Sequence, residues 1–91
     1  MTYRHNPHTA WHAIGRRVVL VPLERRDGVH NNTLVLSGSA PALWLLLQEP
    51  RSAEELVAHL QSEYEVDRER AGQDVERFLE RLLEWKALDS R

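Results

Sequence analysis

The chain of 91 residues contains no cysteine, one methionine and one phenylalanine, and only four glycines and four prolines. Without cysteine, it forms no disulfide, thiolate metal site, iron–sulfur cluster or cysteine nucleophile. The glycines stand too far apart for a phosphate-binding loop. The longest apolar run, Ala42–Leu47, is far shorter than the roughly 20 residues that a bilayer requires, and the polar start lacks the apolar stretch of a secretory signal. We therefore expect a cytoplasmic protein with no membrane partner.

A chain of this length builds one hydrophobic core. Hydrophobic residues make up 42% of it, which is sufficient for a single compact domain. Because so small a domain leaves much of its surface exposed, a functional site is expected in a surface groove or at a sheet edge, and not in a deep cavity.

The net charge of −2 is unevenly distributed along the sequence. Residues 1–48 contain five arginines and two acidic residues, whereas residues 49–91 contain seven basic and twelve acidic residues. Proteins that bind nucleic acid phosphates normally carry an excess of basic residues. The sequence therefore predicts no nucleic-acid partner, and the charges fit solvated helix faces or a partner of mixed charge.

The first part of the chain predicts extended structure. Residues 1–10 have little periodicity and are expected to form a flexible N-terminal arm, followed by a single domain over residues 11–91. The β-branched run at Val18–Val21 and the run at Thr33–Leu36 predict two strands, and Trp11–Ile14 a third. Two turn candidates between the main strands remain open: Asp27-Gly28 and Asn31-Asn32.

The second part of the chain predicts three helices. Ser39 is expected to cap a short, buried helix that ends before Pro50. The sequence Ser52-Ala53-Glu54-Glu55 is a capping box that opens a second helix. Asp67 is expected to cap a third helix. Its apolar residues recur at helical spacing, at Ala71, Val75, Phe78, Leu79, Leu82 and Leu83.

These elements predict an α+β fold in which a small three-stranded antiparallel sheet is followed by three helices. The short connection between the second and third helices is typical of a helix-turn-helix, so the arrangement is similar to a winged helix. A sheet this small has two edges, and at least one of them must be covered or used. An open edge would also allow two copies of the chain to pair into a homodimer.

No group of residues has the pattern of a catalytic or metal site. His5, His8 and His12 are interrupted by Pro7 and lack a neighbouring carboxylate. The run Ser37-Gly38-Ser39 does not fit the pattern of a nucleophile elbow. His30 and His59 have no sequence neighbour that would orient either as a base. The sequence therefore predicts a non-catalytic protein without a cofactor or a metal.

From Leu34 to Leu88 the chain resembles the PqqD-like domains, which recognise ribosomally made peptides that are later modified. The resemblance lies in LVLSGSAPALWLLL and in PRSAEELVAHLQSEYEVDRERAGQDVERFLERLLEWKAL. The position of Trp44 and the stretch Tyr64–Ala71 are most similar to the stand-alone leader-binding proteins of lasso-peptide pathways.

The resemblance implies a leader peptide bound as an added strand in a groove between the third strand and the third helix. Backbone bonds then provide general affinity and side-chain pockets provide selectivity. The residues implied in binding the peptide are Thr33, Leu34, Val35, Leu36, Asp74, Val75, Arg77, Phe78, Arg81 and Leu82.

The implied function is that of an adaptor that presents a precursor peptide to separate enzymes. In a lasso-peptide pathway these are a leader protease and a macrocyclase. One alternative is a PqqD-type chaperone that delivers a precursor to a radical-SAM enzyme. Alternatives from other classes are a winged-helix DNA-binding regulator and, less favoured, a small hydrolase.

Overall fold

The computed structural model describes residues 1–23 and 33–91. The two turn candidates and His30 lie outside this part of the chain. The elements in chain order are β1 (Tyr3–His5), β2 (Thr9–Ile14), β3 (Arg17–Pro22), β4 (Leu34–Leu36), α1 (Ala40–Leu46), α2 (Ala53–Glu63), α3 (Arg68–Glu84) and β5 (Leu88–Ser90).

Strands β2, β3 and β4 form an antiparallel sheet in that order, which together with the three helices confirms the predicted fold class. The β2–β3 hairpin closes between Ile14 and Arg17. Its turn consists of Gly15, at a φ of +60°, and Arg16, whose φ is not positive. Glycine in the left-handed region at the first central position is typical of a type II′ turn. The sequence predicts the strands of this hairpin but not its turn.

The N-terminal residues differ from the expected flexible arm. Tyr3–His5 forms β1, which pairs antiparallel with β5 at the other end of the chain. On its other side, the N–H of Tyr3 donates to the carbonyl of Arg51 at 2.7 Å, and the N–H of Arg51 donates back at 3.0 Å. A local sequence pattern cannot reveal this pairing, because both partners of β1 are distant in sequence.

Capping residues determine where α2 and α3 begin. The Ser52 hydroxyl accepts from the N–H of Glu55, and the Glu55 carboxylate accepts from the N–H of Ser52, which completes the predicted capping box. This backbone hydrogen bond lowers the pKa of the Glu55 carboxyl group. Asp67 accepts from the N–H of Arg70 at 2.7 Å, as expected of a cap. Ser39 occupies the N-cap of α1, but contrary to expectation its side chain makes no capping bond.

The core lies between one face of the sheet and the three helices. Val18, Leu20, Leu34 and Leu36 alternate along β3 and β4 and point inward. They pack against buried residues of the helices, with Trp44 of α1 fully enclosed. The inward residues of β4 and the apolar stripe of α3 belong to this one cluster, so both elements pack on the same core.

Candidate functional site

Strand β4 stands at the edge of its sheet. It pairs with β3 on one side, and no described strand pairs with its other side. An unpaired edge exposes backbone N–H and C=O groups that can bind another extended chain.

The register of the sheet shows which backbone groups of β4 face this edge. A two-residue hairpin turn is closed by a hydrogen-bonded pair, here Ile14 and Arg17. In an antiparallel strand, the backbone groups of successive residues point to opposite sides. Since Arg17 bonds to β2, the backbone groups of Val18 and Leu20 point to the other side and bond to β4. Their partners are Leu36 and Leu34. The N–H and C=O of Val35, between these two, therefore point away from β3 toward the open edge.

A groove runs between the end of β4 and α3, with a volume of about 440 Å³. We call it the β4–α3 groove. One wall is formed by Leu36 and the residues that follow it into α1, and the other by one face of α3. Phe78 and Leu82 contribute apolar surface. The groove therefore places an apolar surface beside an unpaired strand.

Six of the ten predicted site residues line the groove, and the structure thereby brings two distant parts of the chain together. They are Leu36, Asp74, Arg77, Phe78, Arg81 and Leu82. The other four do not line it. Thr33 precedes β4 and is exposed, Leu34 packs in the core, and the Val35 side chain is 45% exposed on the outer face of the sheet. Val75 is buried and lines a smaller cavity together with Tyr3 and Val57.

The structure adds groove residues that the sequence analysis did not select. They follow β4 directly: Ser37, Gly38, Ser39, Ala40 and Leu43. Gly38 has a φ of +67°, a left-handed conformation that turns the chain out of the strand and into α1. A glycine between two serines immediately after a strand is a turn signal, and it could have indicated this end of the groove.

Charged groups line the helix side of the groove. Asp74 accepts from Arg77 at 3.1 Å and pairs with Arg70 at 3.5 Å, so two guanidinium groups compensate one carboxylate. Arg81 lies one turn beyond Arg77 and has no ion-pair partner among the described residues. Exposed ion pairs contribute little to stability. Together, the three arginines outnumber the one carboxylate and give the groove a basic rim, which favours a peptide with acidic residues.

The histidines have structural roles or lie apart from one another. His5 stacks on Trp44 with ring centroids 3.6 Å apart, and its Nε2–H donates to the Trp44 carbonyl at 2.7 Å. Burial lowers the pKa of His5 more than this hydrogen bond raises it. His8 and His12 are exposed. No cluster of three metal-ligating side chains occurs within residues 1–23 and 33–91.

The α2–α3 pair does not have the surface of a DNA-reading helix. The exposed residues Glu69, Glu76, Glu80 and Glu84 recur at helical spacing and form an acidic stripe along α3. A recognition helix requires a favourable field toward phosphates, which this stripe opposes. The geometry of the site therefore fits a peptide better than a duplex.

Two solved structures match this architecture over nearly the whole chain. One is described as TbiB1 in complex with the TbiA(beta) leader peptide: it is 26% identical, with a TM-score of 0.83, over 97% of this chain and 96% of that one. The other is a lasso peptide synthetase B1 complexed with the leader peptide. It is 24% identical, with a TM-score of 0.76, over 97% of this chain and 98% of that one, and supports the fold alone.

One family model matches the sequence. No curated protein sequence matches the chain. The model described as Coenzyme PQQ synthesis protein D (PqqD) matches residues 17–88, which confirms the resemblance found in the sequence. This match extends from β3 to the start of β5 and includes the open edge and the groove. Because it covers well over half of the sequence, the chain belongs to the PqqD family.

Proposed function

We propose that this chain is a non-catalytic adaptor that binds the leader of a ribosomally made precursor peptide as an added strand along β4. The observation that carries the proposal is the unpaired edge at Val35 beside the β4–α3 groove. The described relatives with the same fold are themselves complexes with leader peptides. In this proposal, backbone groups of β4 provide the general affinity and the groove selects side chains.

The chemistry of the groove supports binding without catalysis. Its carboxylate, Asp74, is paired with Arg70 and Arg77. Ser37 and Ser39 line the groove, but no histidine among the described residues lines it with them. The serines therefore lack the adjacent histidine that commonly activates a hydroxyl. Processing is assigned to separate enzymes, a leader protease and a macrocyclase in a lasso-peptide pathway.

A second role within the same class is that of a PqqD-type chaperone that delivers its precursor to a radical-SAM enzyme. The family match favours this alternative directly. The two roles share the binding step and differ in the enzyme that receives the peptide. The PqqD role would be favoured if the purified chain stimulated a radical-SAM enzyme encoded beside it, and the lasso role if it stimulated a leader protease.

The proposed location is the cytoplasm, where precursor peptides are made. No helix in the described ranges, 1–23 and 33–91, is long and apolar enough to span a membrane. The open β4 edge would also allow pairing between two copies of the chain. Analytical ultracentrifugation with and without peptide tests this, because a peptide bound to the same edge would dissociate such a homodimer.

The sharpest test of the added strand is Val35→Pro. Proline removes the N–H that faces the open edge and places its ring there, while the hydrogen bonds of Leu34 and Leu36 to β3 remain. We expect affinity for the fluorescently labelled leader of the precursor encoded beside this gene to fall about tenfold or more, which corresponds to one or two backbone hydrogen bonds. Fluorescence anisotropy measures this fall, and thermal unfolding by circular dichroism checks the fold.

Val35→Thr is the matched control, because it keeps the backbone N–H and the branched shape of the side chain. It should bind like the unaltered protein. Arg81→Glu provides a second measurement that does not involve the strand, because this exposed side chain lies on the rim of the groove. The proposal fails if the leader does not bind, or if Val35→Pro and Arg81→Glu both bind it with unchanged affinity.

A further inference from the structure

A second cavity lies beyond the end of the β4–α3 groove. We call it the end cavity, and its volume is about 480 Å³. The β2–β3 turn, the Gly38-Ser39 turn, the end of α2 with the connection after it, and Asp74 of α3 surround it. Gly38, Ser39 and Asp74 line both this cavity and the groove. The two cavities therefore adjoin each other, with these three residues between them.

One turn of α3 leads from the groove to the border of the end cavity. Phe78 lines the groove, and Asp74, one helical turn earlier, lines both cavities. Four residues of helix advance about 6 Å. Alternate side chains on the same face of a strand are separated by about 6.6 Å. In a bound strand that runs along α3, one inward side chain can thus contact Phe78 while the next reaches Asp74 at the border of the end cavity.

The backbone ladder ends before the end cavity begins. The last paired residue of β4 is Leu36, and the left-handed Gly38 turns the chain toward α1. A bound peptide that continues past this point no longer has a strand to pair with. Its affinity there depends on side-chain contacts, so this is where a particular side chain can be selected.

The lining of the end cavity determines the chemistry of that side chain. Leu60 is buried beneath the cavity and Val66 is half-buried in its wall, while the Tyr64 side chain is 43% exposed. Arg16 and Asp74 provide charges of opposite sign. Apolar surface that stays open to water in the free protein favours an apolar ligand group.

We propose that the end cavity binds one large apolar side chain of the leader peptide and makes that residue a determinant of specificity. This inference rests on the proposed function, because it requires a peptide strand bound to β4. It assigns a direct contact with the ligand to Tyr64 and Val66, which the sequence analysis did not select as binding residues.

The test uses the labelled leader peptide with Tyr64→Ala, Tyr64→Phe and Val66→Asp. Removal of the ring should weaken binding about tenfold, as is typical when an aromatic anchor is truncated. Tyr64→Phe should bind normally because it keeps the ring, and Val66→Asp should weaken binding by placing a charge against the apolar group. Glu63→Ala is the matched control, since Glu63 is exposed, adjoins Tyr64 and does not line the cavity.

An alanine scan of the peptide identifies the bound side chain. Alanine at one apolar position of the leader should weaken binding to the unaltered protein. The same peptide change should cause little further loss with Tyr64→Ala, because two changes in one contact are not additive. This inference alone fails if the leader binds and Val35→Pro weakens that binding, yet Tyr64→Ala and Val66→Asp both bind the leader like Glu63→Ala. That outcome would mean that the end cavity does not contact the peptide. If the leader does not bind the unaltered protein, the proposed function fails. Thermal unfolding of each variant separates loss of contact from loss of fold.

Discussion

Strands β1 and β4 have the same length of three residues but opposite surroundings. β1 is bonded on both sides: β5 pairs with one edge, and Arg51 and Leu47 accept hydrogen bonds from the other. β4 pairs with β3 alone, and its other edge faces a groove.

The comparison shows how the pairing of backbone groups distinguishes structural strands from binding strands. A strand whose N–H and C=O groups are paired on both sides stabilises the fold and offers nothing to a ligand. A strand paired on one side keeps unused donors and acceptors at the surface. β1 closes the molecule by joining its two ends, whereas β4 retains the groups that an added strand requires.

Strands β1 and β4 both pack on the core around Trp44. Removal of the Trp44 side chain should therefore cause the largest loss of stability among these predictions. Its side chain is fully buried, stacks with His5 from β1 and lies edge-on to Trp11 at 6.2 Å. Trp44→Ala should lower the free energy of unfolding by about 3–5 kcal/mol, a large part of the stability of a small domain. Urea unfolding followed by circular dichroism measures the loss.

Trp11→Ala is the control for Trp44→Ala, because Trp11 is only half-buried. Its loss of stability should be clearly smaller. Equal losses at the two positions would show that the core is not centred on Trp44, and that β1 and β4 do not share it in the way described.

The comparison becomes sharper when proline is placed in β1. Thr2 and Arg91 exchange two hydrogen bonds, at 2.7 and 2.9 Å, so the alternation makes Arg4 and Asp89 the next bonded pair. Arg4→Pro should lower the free energy of unfolding by about 1–3 kcal/mol by leaving the Asp89 carbonyl without its donor. Leader affinity of the folded protein should not change, which is the reverse of the result expected for Val35→Pro.

Arg4→Ala serves as the control, because it removes the side chain and keeps the backbone donor. Because Arg4 is half-buried, some packing is lost, but the loss of stability should be clearly smaller than that of Arg4→Pro. Denaturant unfolding measures the stability of the two variants, and anisotropy titration measures their affinity for the leader. A loss of leader affinity in Arg4→Pro without loss of stability would contradict the division of roles between the strands.

Local patterns predicted the elements whose causes are local. Ser52 and Asp67 cap their helices through bonds to residues three positions away, so the sequence is sufficient to locate α2 and α3. The same is true of the alternation that buries Leu34 and Leu36. The hairpin turn at Gly15-Arg16 is also local, but the turn signal was weaker than those of the dipeptides further along the chain.

Long-range pairing was not predictable from the same patterns. β1 is extended because β5 and Arg51 lie beside it, and neither is near it in sequence. The apolar stripe of α3 presents a related difficulty. Val75 and Phe78 belong to one stripe, yet only Phe78 lines the groove. Periodicity identifies the stripe, but the packing of β4 decides which part of it faces the groove.

The smallest effect that we expect is a pH dependence of the free energy of unfolding, which arises from His5 in β1. Burial lowers the pKa of His5 from its ordinary value of 6.5 in the folded protein. Above pH 6.5 the ring is neutral in both the folded and the unfolded chain, and His5 adds no pH dependence. As the pH falls below 6.5, the unfolded chain takes up the proton more readily, so the free energy of unfolding decreases until the pH passes the lowered pKa.

Replacement of His5 by a residue that does not titrate should remove this part of the pH dependence. His5→Gln keeps an N–H donor for the Trp44 carbonyl but loses the stacked, titratable ring. The variant should therefore be less stable at neutral pH but should lose less stability on acidification. His12→Gln, at an exposed position on β2, is the matched control and should follow the unaltered protein. Urea melts between neutral and mildly acidic pH give the slopes. Parallel slopes for the unaltered protein and His5→Gln would mean that burial of the stacked ring does not oppose its protonation.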